Sequence, residues 1–269
     1  MFFRKLIAFI KKDFFIQISY RFSFILTGIG IIIPVLTFYF IAKLFGKGLN
    51  PYLKEYGGEY FPFVLIGLAL SSYLGMALRT FSLHLREEQM MGTLEAMFLT
   101  PTKVSNLMIF MPCWDFIFNS LNALICLLLG VYFLGVKLVN TSFWAVFIIL
   151  ILTISCSIGI GIISAAFIMV FKKGDPITWS INLFSGFFGG IYFPIAILPP
   201  RLQFISYLMP LTYALRALRH ALLQGYGFVI LLPDIIILLL FTLVLLPLSI
   251  FLFKFALKRT KINGSLGHY

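Results

Sequence analysis

Few residues in this 269-residue chain have types and positions that could do chemistry. Asp115 lies well inside an apolar run, where an unpaired carboxylate is costly. Arg79, close to the end of the preceding run, is its expected partner, and the two are expected to join neighbouring helices. Asn119, Asn122 and Asn182 are the other candidates in such runs. His84, His220 and His268 fall in different loops on different sides, so no shared metal site is expected. Cys113, Cys126 and Cys156 all sit in apolar runs without metal-site spacing, and read as free thiols packed as small hydrophobes. The chain contains no G-x-x-x-x-G-K-[S/T] phosphate loop, no H-E-x-x-H and no G-x-S-x-G. Neither a catalytic residue nor a bound metal or cofactor is expected.

The elements that would carry these residues are membrane spans. Hydrophobic residues make up 61% of the chain and charged residues 11%, and mean hydropathy is +1.04. A soluble domain is about 25% charged, so a soluble enzyme, a disordered chain and a disulfide scaffold are excluded. Six segments are long enough to cross a bilayer: 22–42, 60–83, 107–134, 143–171, 177–197 and 228–253. The fold class is therefore an all-α integral membrane protein in one domain, 1–269.

Charge gives the direction. The net charge is +12, but the basic residues sit at the ends of the apolar runs, so they orient spans and meet lipid headgroups; nucleic acid is not an expected partner. With six spans, 14 of the 21 Lys and Arg residues share the side of both termini, which places the termini in the cytoplasm. The leader 1–21 has Arg4, Lys5, Lys11 and Lys12 on one helical face and Phe3, Ile7, Ile10 and Phe14 on another, the pattern of a helix lying in the interface plane. Region 198–227, with Pro199, Pro200 and Pro210, carries Arg216 and Arg219 amid apolar residues. Short helices dipping back into the outer leaflet reconcile the two, provided protein covers the broken backbone. Within the fifth span, Ser185/Gly189 and Gly186/Gly190 form two small-xxx-small pairs, so Gly186, Gly189 and Gly190 are expected at a close helix contact.

The cytoplasmic segment 86–103, after the second span, carries the strongest signal. Gly92 can break one helix and Thr93 cap the next; Leu94, Met97 and Phe98 then share a face, and Pro101 stops it. An apolar helix face in water needs a partner groove. The stretch Glu88…Gly92-Thr93-Leu94-Glu95…Thr100-Pro101 resembles the cytoplasmic loop of the ABC-2 type permeases, the membrane subunits of ABC exporters. Gly189-Gly190-Ile191-Tyr192-Phe193-Pro194…Leu198-Pro199, followed by Pro210-Leu211-Thr212-Tyr213…Leu218-Arg219, resembles the family's fifth span, outer re-entrant helices and sixth span.

The resemblance implies a half-transporter in a prokaryotic plasma (inner) membrane. Two copies would form the pathway, and two copies of a separate ATPase, holding ATP and magnesium, would dock on the cytoplasmic side. The helix around Gly92–Leu99 would be the coupling helix, with Glu87, Glu88 and Glu95 facing basic groups of the ATPase. Between the copies, Phe24, Phe38, Tyr39, Tyr73, Phe184, Phe187, Phe188 and Tyr192 are the candidate lining, suited to an amphipathic or hydrophobic cargo such as a drug, lipid or lipid-linked glycan. A lipid-modifying membrane enzyme and an ATP-independent channel or scaffold remain as alternatives.

Overall fold

The computed structural model describes residues 2–19, 21–45, 50–90, 92, 106–107, 110–139, 142–171 and 175–262. Among these, all regular structure is helical. The helices are α1 Phe2–Ser19, α2 Arg21–Phe45, α3 Asn50–Leu53, α4 Tyr60–Met90, α5 Cys113–Tyr132, α6 Phe143–Phe171, α7 Asp175–Phe188, α8 Pro200–Tyr207, α9 Pro210–Gln224 and α10 Phe228–Ile262. Single 3-10 turns lie at Lys54–Tyr56 and Ile195–Ile197.

Among the described residues, five helices contain stretches long and apolar enough to cross a membrane: Leu26–Leu44, Tyr60–Phe81, Cys113–Tyr132, Phe143–Phe171 and Phe228–Thr260. The segment expected as a fifth span, 177–197, is a helix only as far as Phe188. At 14 residues α7 is about 21 Å long, short of the ~30 Å hydrocarbon core. It stops because Gly190 turns into the left-handed region at φ 75°, and Pro194 follows in extended conformation.

Helix α4 is the hub. Of its apolar window 72% is buried, against 6% for that of α2, so α2 lies at the edge of the bundle. The main core joins Leu65, Leu70, Leu74 and Leu78 of α4 to Ile149 of α6, Leu215 and Leu218 of α9, and Leu231 and Leu238 of α10. A second cluster joins Phe81 of α4, Ile162 and Met169 of α6, and Phe253 and Leu257 of α10, with Phe9 of α1 against it. The first helix and the last turns of α10 therefore lie at the same end of the bundle, the terminal end; α9 packs at the other. Helix α1 docks on the start of α5: Phe14 meets Trp114 edge-on at 5.1 Å between centroids, and Trp114 donates to Gln17.

Candidate functional site

Two polar constellations stand out, one at each end of α4. The first is built by α9. Pro210 starts this helix at a position where a missing N–H costs nothing, and Gly225, at φ 68°, ends it. Its buried face reads Leu211, Thr212, Ala214, Leu215, Ala217, Leu218, Arg219 and Ala221, so an arginine is carried into the core by a stripe that is apolar apart from Thr212.

Arg219 is 3% exposed. Its Nε donates to the carbonyl of Phe63 at 3.1 Å, and its two terminal nitrogens donate to Gly190 at 2.8 Å and Ile191 at 3.0 Å. The guanidinium also lies over the Phe63 ring, 3.4 Å from its centroid. Gly190 and Ile191 follow the end of α7, where carbonyls have lost their helical partners. Arg219 supplies the missing donors and ties the broken end of α7 to the first turn of α4. Gly67 makes the approach possible: a Cβ there would sit 2.4 Å from the Ile191 carbonyl oxygen. Burial pulls the Arg219 pKa down to about 9, with nearby Tyr56 opposing, so the group stays charged at neutral pH.

Around it, Arg216 makes a forked contact with Asp234 of α10, its Nε 3.1 Å from each carboxylate oxygen. Asp234 is buried. His220 stacks on Tyr56 at 5.2 Å and comes within 3.4 Å of Glu55. Burial, and secondarily Glu55, pushes the Tyr56 hydroxyl up to about 12.

The second constellation is a cavity of about 820 Å³ between α2, α4, α5 and α7, reaching toward the terminal end. Arg79, Asp115, Asn119, Asn122 and Asn182, the five polar residues singled out in the sequence, all line it. The expected Asp115–Arg79 pair does not form. Asp115 contacts His84 Nε2 at 3.1 Å instead. The two helices run antiparallel, and Asp115 lies in the first turn of α5, level with the last turns of α4. His84 is five residues, about 7.5 Å, closer to that end than Arg79. Nor is His84 in a loop, because α4 continues to Met90. Asn119 donates to Ser72 at 3.0 Å, fixing α5 to α4 midway.

The aromatic residues expected along a pathway do not line this cavity. Phe184 and Phe187 are exposed on α7, with Phe184 stacked on Phe188. Phe38 stacks on Tyr192 at 5.4 Å, and Tyr39 meets Phe61 edge-on at 5.2 Å. Tyr73 is 2% exposed and donates to Ser120 at 3.0 Å, so it serves helix packing and cannot line a surface of this chain. Phe24 falls on α2, with its side chain outside the described residues.

The glycine expectation also changes. A Cβ on Gly186 would meet only Tyr192, at an ordinary 3.4 Å, and Gly189 and Gly190 form the turn that ends α7. Among the described residues no helix backbone seats against this stretch as a small-xxx-small contact would require; close backbone approaches are made instead at Gly67 and at Gly161 of α6, where a Cβ would sit 2.7 Å from the Ala77 carbonyl oxygen.

Of the loop residues, Gly92 is described, at φ 68° just past the end of α4. Glu87 and Glu88 belong to α4 with side chains outside the described residues, and Thr93, Leu94, Glu95, Met97, Phe98 and Pro101 lie outside them altogether. The residue that sequence reading missed is Asp234. It was legible as an acidic residue six positions into the last apolar run, where Arg216 had no other evident partner.

No curated protein matches the chain. The family model of the ABC-2 type transporters matches residues 6–223, which takes in α2, the cavity, the loop after α4 and the Arg219 site. The chain thus belongs to the ABC-2 type transporter family, as a multi-pass transmembrane permease component of an ABC transporter that is not itself catalytic.

Proposed function

We propose that this chain is half of the membrane part of an ATP-driven exporter in a plasma (inner) membrane, with both termini in the cytoplasm. Two copies enclose the pathway for an amphipathic or hydrophobic cargo, and two copies of a separate ATPase dock against the segment 86–103. The observation that carries this reading is the continuity of α4. It runs for 31 residues, about 46 Å, from Tyr60, one turn before the Arg219 contact at Phe63, to Met90 inside that segment. A displacement of the loop by a closing ATPase dimer would be transmitted along one rigid helix to the broken end of α7. The edge formed by α2, α7 and the turn after it, with Phe184, Phe187 and Tyr192 exposed and Phe38 and Phe188 half-buried, supports the surface that a second copy would face. Tyr39, partly buried beside it, supports that edge from behind.

Purification of the tagged chain from its native membranes in mild detergent tests this. A phosphate-loop ATPase in a two-to-two complex is expected. Recovery of the chain alone under several mild conditions would overturn it. Glu95→Arg should leave membrane insertion intact while reducing the amount of co-purifying ATPase; an unchanged yield would remove Glu95 from the docking surface.

A further inference from the structure

The cavity between α2, α4, α5 and α7 has a direction. Along α4 its lining runs from Leu68 to His84, 16 residues or about 24 Å. At the deep end the walls are apolar: Val35 from α2, Leu68 and Ala69 from α4, Ala123 and Cys126 from α5. At the terminal end they are polar and charged: Arg79, His84 and Asp115. Asn119, Asn122 and Asn182 lie between. The antiparallel order of the helices produces this gradient, since each contributes its polar residues from the part nearest the terminal end.

Charge then selects the ligand. Asp115 is engaged by His84. Among the described residues no carboxylate lies within ion-pairing distance of Arg79, and its side chain is exposed. A guanidinium in an intramembrane cavity without a described carboxylate partner favours an anion. Amide groups behind it supply further hydrogen-bond donors, and the apolar end would be left open to water unless filled. The cavity spans less than the ~30 Å hydrocarbon core, matching one leaflet's worth of chain plus a headgroup.

We infer that this cavity binds a single-chain anionic amphiphile, a phosphate or carboxylate head at Arg79 with its hydrocarbon chain toward Val35 and Cys126. The site lies within one copy of the chain, apart from the aromatic edge. It rests on the exporter reading only for whether the ligand is carried or resident.

The experiment compares binding of lysophosphatidic acid and of the uncharged monoacylglycerol with the same acyl chain to the purified chain in detergent, by native mass spectrometry. The wild type is expected to prefer the anionic ligand by about tenfold or more. Arg79→Gln should remove that preference, and Arg79→Lys should retain part of it. Equal affinity of the wild type for both ligands, or an undiminished preference in Arg79→Gln, would overturn the site. Melting temperature and elution volume are measured alongside; a variant that departs in either is replaced by Asn122→Leu, which lines the same cavity and should weaken binding of the anionic ligand.

A vesicle assay with the ATPase present separates the two sources of such a ligand. ATP-driven movement of labelled lysophosphatidic acid, slowed in Arg79→Gln, assigns it as cargo. Arg79-dependent binding without ATP-driven movement assigns a resident lipid head at the same site. The binding measurement needs no ATPase, so failure of the exporter reading leaves it interpretable, and the reverse.

Discussion

Two arginines in this molecule sit near opposite ends of α4 in opposite circumstances. Arg219 is buried, and its guanidinium is committed to three backbone carbonyls and an aromatic face. Arg79 faces a cavity and has no carboxylate within reach among the described residues. Both would be expensive in hydrocarbon. The difference lies in who supplies the compensation. For Arg219 it is the chain itself, because a broken helix offers carbonyls that need donors. For Arg79 no described carboxylate supplies it. An internally satisfied cation serves architecture, and an unsatisfied one in a cavity is available to a ligand.

If that contrast is right, removing the two groups should have very different consequences. Arg219→Leu should cause the largest loss of stability, about 3–5 kcal/mol, by leaving three carbonyls without donors in a dry site. Arg219→Lys should rescue little, since one ammonium cannot reproduce the flat fork that reaches Phe63, Gly190 and Ile191 together. The measurement is thermal unfolding of the purified protein, read as loss of the monodisperse peak. A melting temperature within a degree or two of the wild type would show that the Arg219 contacts are dispensable.

Asp234→Ala comes next. It strips Arg216 of its forked partner, but Arg216 is one-third exposed and can turn toward water, so about 1–2 kcal/mol is expected. The double variant Arg216→Met/Asp234→Ala should be less destabilised than the sum of the single changes. Simple additivity would mean that the two side chains do not interact in solution.

These two sites also mark the limit of what the sequence could say. Runs of about 20 apolar residues read directly into helices, because a backbone in lipid has no other way to satisfy its hydrogen bonds. The break in α7 was harder to see. Gly189 and Gly190 are equally compatible with tight helix packing and with a turn, and what decides between them is Arg219, 29 residues beyond Gly190. The same holds for Asp115. Its need for a partner was legible, but whether that was Arg79 or His84 depended on how far α4 continues past the apolar run, and polar residues up to Met90 hide that end. Arg79, Asp115, Asn119, Asn122 and Asn182 were each visible, yet their convergence on one cavity is a property of helix order and rotation.

Glycine offers a finer test of where backbones meet. Gly67→Ala should cost about 1–3 kcal/mol, because its Cβ would press on the Ile191 carbonyl at 2.4 Å and force the Arg219 contacts apart. Gly186→Ala should change stability by no more than about 0.5 kcal/mol, since the nearest atom is 3.4 Å away and alanine favours the helix. Equal effects at the two positions, in the same unfolding assay, would contradict the placement of the close contact at Gly67.

The smallest structural effect is expected at Arg79. Arg79→Gln should leave the melting temperature close to wild type, a change within about 0.5 kcal/mol, because no described carboxylate loses its partner. Asp115 keeps its contact with His84 in that variant, so the charge balance of the pair is unchanged. This is the outcome that separates the two arginines most sharply: one substitution should be felt throughout the fold and the other only where an anion would bind. A large destabilisation by Arg79→Gln would mean that the guanidinium is holding the helices around the cavity together, and Arg79 would then belong with Arg219 as a part of the framework.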